Sequence, residues 1–315
     1  MAFNIIFDTD MGNDIDDALA LAMAASAHVK GEANLALIAS SNPNPASVAM
    51  IKAACRYYGI DGCMLAIHKG KLKYANDAAG FCRKTAEFCG IDVDAAGAEA
   101  LDAVPALRKA LASMPDKSVR FVATGFSTNL AGLLDSPANF NNDGIQLDGI
   151  ELVRRKAQFL SIMAGDFHNS QKDANGKPGP EFNVLGDIPA MKKVMDAWPA
   201  PVYVSDFSIG LAVCVSWQLL DKQMKDKNPV KFAYKAYYNG TPGERFSWDQ
   251  TSMLFALEPD ARHFKLSPEG EIAIDENGFS RFTEKPGGMR FLLLFDEQRT
   301  PEAVNRAMHK LYVEP

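Results

Sequence analysis

The sequence lacks the features that mark membrane-spanning and nucleic-acid-binding proteins. No apolar stretch approaches the roughly 20 residues that a helix needs to cross a bilayer. The net charge is −6 and there is no basic run, so binding to nucleic acid or to an anionic membrane has no electrostatic support. Apolar residues make up 47% and charged residues 23% of the 315 positions, which is the balance of an ordinary soluble globular protein.

Cysteine is scarce, and its pattern excludes two further classes. The five cysteines are odd in number and have no CxxC spacing, which argues against a disulfide framework and against a zinc site. They are typical of free thiols in a reducing compartment. An N-terminal signal peptide is also missing, because the apolar residues 3–7 lead directly into Asp8. These features favour a cytoplasmic location, or a periplasmic one if a signal peptide has been removed.

Short apolar segments alternate with helical patterns along most of the chain. The predicted strands cover residues 3–7, 35–39, 63–67, 119–124, 159–164 and 202–204. Between them lie helical patterns such as 16–29, where Leu19, Ala22, Met23 and Ala27 recur at helical spacing. Strands that alternate with helices predict an α/β fold, with a mostly parallel sheet covered by helices on both faces.

The C-terminal part has a different pattern. A last helix is predicted over residues 211–225, and four short strand candidates then alternate with turn signals. These candidates predict a small antiparallel C-terminal appendage. Since the chain contains no repeat and no low-complexity linker, we expect residues 1–315 to form one domain.

The strongest functional signal is a cluster of aspartates near the N-terminus. Five carboxylates fall within ten residues, where the average composition predicts about one: Asp8, Asp10, Asp14, Asp16 and Asp17. They lie where a buried strand gives way to a helix, which is where open α/β sheets bind ligands. Like charges gathered there require either protonation or a cation. Because neither Cys nor His is present, a hard cation such as Ca²⁺ or Mg²⁺ is favoured, whereas the simplest alternative is a solvated acidic loop.

Two other acidic-loop families fit this segment less well. In an EF-hand counted from Asp8, Asn13 would occupy the glycine position and Leu19 the position of the bidentate glutamate. A phosphatase that forms an aspartyl-phosphate would have Thr or Val where Gly12 stands. A GxxxxGK[ST] loop is also absent. A Mg²⁺-dependent phosphoester hydrolase therefore remains a weaker alternative.

The segment 8–18 resembles the DxDPGxDDA signature of the inosine–uridine-preferring nucleoside hydrolase family. Here the loop is two residues longer and Met11 replaces the proline. Further resemblances follow in the family's order at residues 40–45, 122–129, 163–165, 181–183 and 248–249. The resemblance covers about residues 3–257. It implies a Rossmann-like sheet, one Ca²⁺ at the strand ends, and hydrolysis of ribonucleosides to ribose and free nucleobase.

The resemblance also assigns roles to individual positions. It implies a metal site made by the side chains of Asp10, Asp17 and Asp249 and the backbone carbonyl of Thr124. Asp16 and Asn183 would bind ribose hydroxyls. Of the two nearby asparagines, Asn42 and Asn44, Asn44 is the better match to the family's sugar-binding asparagine. Because the loop is longer, Asp14 could either replace Asp16 or make a supporting contact behind it.

The expected mechanism starts from the chemistry of the N-glycosidic bond. Asp10 is the candidate general base for a water whose pKa a bound cation lowers. Many relatives carry a histidine as leaving-group acid where Trp248 stands, and an indole N–H cannot act as an acid. Trp248 could instead stack on the base or close the pocket. His168 or Asp166 could substitute as the acid, and Glu181 is expected to support the loop of Asn183 or to bind a 5′-hydroxyl.

The predicted partner is therefore a small-molecule ribonucleoside, with Ca²⁺ as cofactor. The main alternative is a binder of ribose or nucleosides that kept the metal and lost catalysis. The family resemblance makes a homo-oligomer possible. The nucleobase preference is left open, because Ser208 stands where many relatives have a glutamate.

Overall fold

The computed structural model describes residues 3–60, 62–172 and 175–312. The strands are β1 (Phe3–Thr9), β2 (Ala33–Ser40), β3 (Met64–Ile67), β4 (Leu101–Asp102), β5 (Val119–Ala123), β6 (Ala157–Met163), β7 (Val202–Ser205), β8 (Cys214–Val215), β9 (Arg245–Phe246), β10 (Lys265–Leu266), β11 (Gly270–Ile274), β12 (Ser280–Glu284) and β13 (Arg290–Leu294). The α-helices are α1 (Asp16–Val29), α2 (Pro45–Tyr58), α3 (Phe81–Phe88), α4 (Val93–Glu99), α5 (Ala103–Ser113), α6 (Thr128–Asp135), α7 (Gly149–Lys156), α8 (Phe182–Gly186), α9 (Ile188–Ala197), α10 (Phe207–Ala212), α11 (Trp217–Gln223), α12 (Pro229–Tyr237), α13 (Trp248–Leu257) and α14 (Pro301–His309).

One large mixed sheet organises these elements. Its strand order is β12-β11-β13-β7-β6-β5-β1-β2-β3-β4, and β10 pairs with β13. The strands from β13 to β4 are parallel to their neighbours, whereas β10, β11 and β12 pair antiparallel. The predicted α/β class, with a mostly parallel sheet and antiparallel C-terminal strands, is confirmed. Because β13 pairs with β7, the antiparallel strands β10, β11 and β12 extend the main sheet.

The central strand β1 explains why the sheet is covered on both faces. Alternate side chains of a strand point to opposite faces. Ile5 and Phe7 enter the apolar core that contains α1 and α2, whereas Ile6 enters the second core, which contains α5, α6 and α9. Helix α1 is buried from Asp16 to Ala27. Its small alanines let it pack closely against α13 and β2.

The order of the strands also places the candidate site. The sheet grows from β1 through β2 in one direction and through β5 in the other. Loops that follow β1 and β5 therefore diverge and leave a crevice at the carboxyl ends of these two strands. The acidic segment begins in β1 and ends in the first turn of α1, so it lies at this crevice.

One helix prediction was wrong. The segment 211–225 contains the end of α10, the short strand β8 and the separate helix α11. Strand β8 pairs antiparallel with β9, which is distant in the sequence, and this pairing overrides the local helical pattern. None of the described helices is long and apolar enough to span a bilayer. That the chain forms one domain stays a prediction.

Candidate active site

A cavity of about 250 Å³ opens at the carboxyl ends of the central strands. It is lined by Asp10, Asn13, Asp14, Asp16, Asp17, Thr124, Met163, Gln171, Glu181, Phe182, Asn183, Phe207, Arg245, Trp248 and Asp249. Nine of the twelve residues to which the sequence assigned a site role belong to this lining. The three that do not are Asn44, Asp166 and His168.

Three buried carboxylates form the centre of the cavity. One oxygen from each of Asp16, Asp17 and Asp249 can be chosen so that all three lie within 4.8 Å of one another. The backbone N–H of Asp249 donates to Oδ2 of Asp16 over 3.2 Å. The hydroxyls of Thr9 and Thr124 both donate to Oδ1 of Asp17. Helices α1 and α13 begin at this cluster, so the positive ends of their dipoles favour negative charge there.

These carboxylates repel one another in a site from which water is largely excluded. Burial raises the pKa of Asp16, Asp17 and Asp249 well above the ordinary value, and the neighbouring carboxylates raise each pKa further. Either bound protons or a cation must offset this repulsion. The donors are carboxylate oxygens without Cys or His, which suits a hard cation of the Ca²⁺ or Mg²⁺ type. The cluster could therefore hold a metal ion.

Asp10 lies on the wall beside this cluster and is only 3% exposed. Burial raises its pKa to about 7, while a hydrogen bond from Nδ2 of Asn13, 2.7 Å long, acts in the opposite direction. Asn13 belongs to the lengthened loop, and its role was not predicted. The same loop needs Gly12, whose φ is +118°, because a Cβ there would come within 2.7 Å of the Asn76 carbonyl oxygen.

The other loop residue, Asp14, makes an ion pair across the cavity. Its carboxylate accepts from Nε of Arg245 over 3.0 Å and from Nη2 in a second, shorter contact. Both side chains remain about one quarter exposed. Asp14 therefore does not replace Asp16 in the buried cluster. The partners are 231 residues apart in the sequence, so no local pattern could have revealed the pair.

Glu181 and Asn183 form another part of the cavity lining. The Glu181 carboxylate caps α8 by accepting from the N–H groups of Asn183 and Val184, and it also accepts from the N–H of Gly165. Burial raises the pKa of Glu181 to about 7. Nδ2 of Asn183 donates to the carbonyl of Thr124 over 3.2 Å, which fixes the amide beside the acidic cluster.

An aromatic wall closes the cavity near Trp248. Nε1 of the indole donates to the Phe207 carbonyl over 3.0 Å, and the two rings stack with their centroids 5.4 Å apart. The guanidinium carbon of Arg245 lies 5.2 Å from the Trp248 ring centroid. The indole N–H is thus committed to the backbone, while the ring itself lines the cavity.

Asn44 and His168 lie elsewhere. The Asn44 oxygen caps α2 by accepting from the N–H of Ala46. Of the two asparagines in that loop, Asn42 contacts the acidic loop instead, through the carbonyl of Met11. The His168 side chain is 57% exposed, and its Nε2 lies 4.0 Å from Asp206. The roles of Asn44 in sugar binding and of His168 as an acid stay predictions.

The family model of the inosine-uridine preferring nucleoside hydrolases matches residues 5–297. The chain belongs to this family. The sequence resemblance is confirmed, and the protein is a nucleoside hydrolase by family. No curated protein sequence gives a significant match.

Solved structures of similar fold cover nearly the whole of this nucleoside hydrolase. A plant nucleoside hydrolase has 17% identity and a TM-score of 0.71, with 100% of both chains covered. The inosine-uridine preferring nucleoside hydrolase of Bacillus anthracis has 16% identity and a TM-score of 0.68, with 98% of this chain and 100% of that chain covered. The type III effector XopQ, solved with adenosine diphosphate ribose, has 15% identity and a TM-score of 0.72, with 99% and 94% covered. At these identities the likeness establishes the shared fold.

Proposed function

We propose that this protein hydrolyses the N-glycosidic bond of ribonucleosides to ribose and free nucleobase, with one Ca²⁺ bound in the carboxylate cluster. The observation that carries the proposal is the convergence of Asp16, Asp17 and Asp249 in a cavity at the centre of the sheet. Family membership supports the same reaction.

The residues that would hold the cation are all present on the cavity wall. They are the carboxylates of Asp10, Asp17 and Asp249 and the carbonyl of Thr124. That carbonyl accepts one hydrogen bond from Asn183, which leaves a second lone pair for a metal. When bound, Ca²⁺ would offset the repulsion between the carboxylates and lower the pKa of a coordinated water. Asp16 belongs to the same group, so it can face both the ion and a sugar beside it.

Asp16 and Asn183 would orient the substrate. Asp16 offers acceptors for ribose hydroxyls, and Asn183 offers the oxygen of a held amide. Hydrogen bonds to the 2′- and 3′-hydroxyls would fix C1′ near Asp10. Asp10, held by Asn13, then accepts the proton of the attacking water. The surrounding negative charge favours the oxocarbenium-like sugar that forms as the bond breaks.

Trp248 serves the nucleobase as an aromatic surface. Its N–H already bonds to the Phe207 carbonyl, and an indole does not release a proton at neutral pH. The ring stacks on Phe207 and also lines the cavity, so we expect its cavity-facing part to contact a base held above the sugar site. The departure of the base consequently needs help from another group.

A nucleoside panel tests the proposal. The purified protein with Ca²⁺ is incubated with purine and pyrimidine ribonucleosides, and free base and reducing sugar are measured. We expect ribose release, and Asp10→Asn should lower kcat by about 10²- to 10⁴-fold, as for loss of a general base. Asp116→Asn, a change on the exposed surface, is the matched control and should leave kcat unchanged.

The main alternative has a distinct signature in the same experiment. If calorimetry detects nucleoside binding while no member of the panel yields reducing sugar, the protein is a metal-dependent binder and the enzymatic proposal is wrong.

A further inference from the structure

The reaction requires negative charge on the departing base to be stabilised, and the described cavity wall offers one cationic side chain for this task. Arg245 lines the cavity on the same wall as Trp248. The exposed His168 lies outside this lining, and the Trp248 N–H is already engaged. A guanidinium stays protonated at any physiological pH, so it can stabilise charge by donating hydrogen bonds without transferring a proton.

Asp14 fixes the orientation of this guanidinium. The carboxylate of Asp14 binds the edge formed by Nε and Nη2. A guanidinium has five N–H groups in a rigid plane. Pairing through Nε and Nη2 therefore leaves the adjacent edge, with one N–H of Nη2 and one of Nη1, directed away from Asp14. Two parallel donors on that edge are available to a planar partner.

Arg245 lies over the Trp248 ring at the cavity wall. The guanidinium carbon lies 5.2 Å from the centroid of the Trp248 ring, and both groups line the cavity. It also lies 5.6 Å from the centroid of the Tyr237 ring, so a second aromatic side chain packs against it. Burial opposes the charge of Arg245, but its hydrogen bonds with Asp14 and the charge of that carboxylate raise its pKa further above the ordinary value. Arg245 is thus a fixed cation beside an aromatic surface.

Building on the proposed hydrolysis, we propose that Arg245, oriented by Asp14, binds the leaving nucleobase and makes the enzyme selective for 6-oxopurine ribonucleosides. In such a base, O6 and N7 are neighbouring acceptors that match the two parallel donors of a guanidinium edge. Adenine presents a donor at the 6-position, and pyrimidines lack N7, so both lose one of the two bonds.

The step balances without a proton donor. Water oxygen bonds to C1′, and the proton of that water passes to Asp10. The bond between C1′ and N9 breaks, and its electron pair remains on the base. The purine leaves as an anion whose charge is delocalised to N7 and O6, where the N–H groups of Arg245 donate. Solvent then protonates the released base.

The test separates departure of the base from the rest of the reaction. The substrates are inosine, 7-deazainosine (which lacks the N7 acceptor) and 4-nitrophenyl β-D-riboside, whose leaving group departs without assistance. We expect Arg245→Met to lower kcat for inosine about 10²-fold or more, as for loss of a transition-state donor. The same variant should change kcat for the nitrophenyl riboside less than about threefold, which also shows that the metal and sugar sites remain intact.

Two further variants sharpen the result. Asp14→Asn keeps the arginine but weakens its orientation, so the loss on inosine should be smaller than that of Arg245→Met. Arg155→Met removes an arginine from the exposed pair with Asp116 and should change neither substrate's kcat. With the wild-type enzyme, 7-deazainosine should react more slowly than inosine, and Arg245→Met should remove most of that difference.

Equal losses on inosine and on the nitrophenyl riboside would overturn the role of Arg245 while leaving the hydrolase proposal standing. So would a wild-type preference for adenosine or uridine over inosine and guanosine. A wild-type protein that cleaves neither nucleosides nor the nitrophenyl riboside would overturn both proposals.

Discussion

Replacing one carboxylate of the proposed metal site should stabilise the protein in the absence of calcium. Asp249 is 4% exposed and lies with Asp16 and Asp17 in a group whose ligand oxygens are within 4.8 Å of one another. At that separation, two full charges repel by about 3.5 kcal/mol at an effective dielectric constant of about 20. Because the raised pKa values leave some of these carboxylates protonated, replacing one of them relieves less than this full repulsion. We expect Asp249→Asn to raise the free energy of unfolding by about 2 kcal/mol in chelator.

Thermal denaturation at pH 8 measures this effect. In chelator, the variant should melt about 3 °C above the wild type. With Ca²⁺ at about 100 times its Kd, the wild type should gain about 2.7 kcal/mol, whereas the variant should gain little. Adding calcium should therefore bring the two melting temperatures together or reverse their order.

The same chemical change at Asp116 is the control. Its carboxylate is exposed, and hydrogen bonds from Lys156 and Arg155 hold its pKa below the ordinary value. Asp116→Asn should therefore give no stabilisation in chelator and leave the response to calcium intact. If Asp249→Asn melts below the wild type in chelator, the cluster is not repulsive and the reasoning from charge is refuted.

Three further outcomes follow from the geometry. Gly12→Ala should lower the free energy of unfolding by about 1–3 kcal/mol in denaturant titrations. Gly31→Ala, also at positive φ but with open space around it, should lower this free energy less. Equal losses would contradict the close approach at Gly12. Asn13→Ala should lower kcat about tenfold with little change in KM, because it releases Asp10; an effect on KM alone would contradict this role. 2′-Deoxyinosine should have a kcat/KM at least about 10²-fold below that of inosine, and equal rates would contradict hydroxyl binding beside Asn183.

Features encoded by local pattern were predicted well. Helix α1 was predicted with the bounds that the structure has, because an acidic first turn and closely spaced alanines define it locally. Strand β1 was also recognised, although it continues to Thr9. The aspartates that follow β1 are close together in the sequence, and Asp249 was joined to them by the family resemblance.

Features that depend on distant partners were missed. Strand β8 forms only because β9 lies beside it, so residues 211–225 were predicted as one helix. Arg245 was not predicted as a site residue, because its partner, Asp14, is 231 residues away in the sequence. Asn44 was preferred to Asn42 by motif position alone, and the contact of Asn42 with the acidic loop depends on how that loop folds.

The measurement that tests the central claim most directly is a calorimetric titration of Ca²⁺ into chelator-treated protein. The account predicts one ion bound per chain, and no measurable binding in an Asp17→Asn, Asp249→Asn double variant that remains folded. Absence of binding to the wild type, or equal binding to the double variant, would show that the carboxylate cluster is not the metal site.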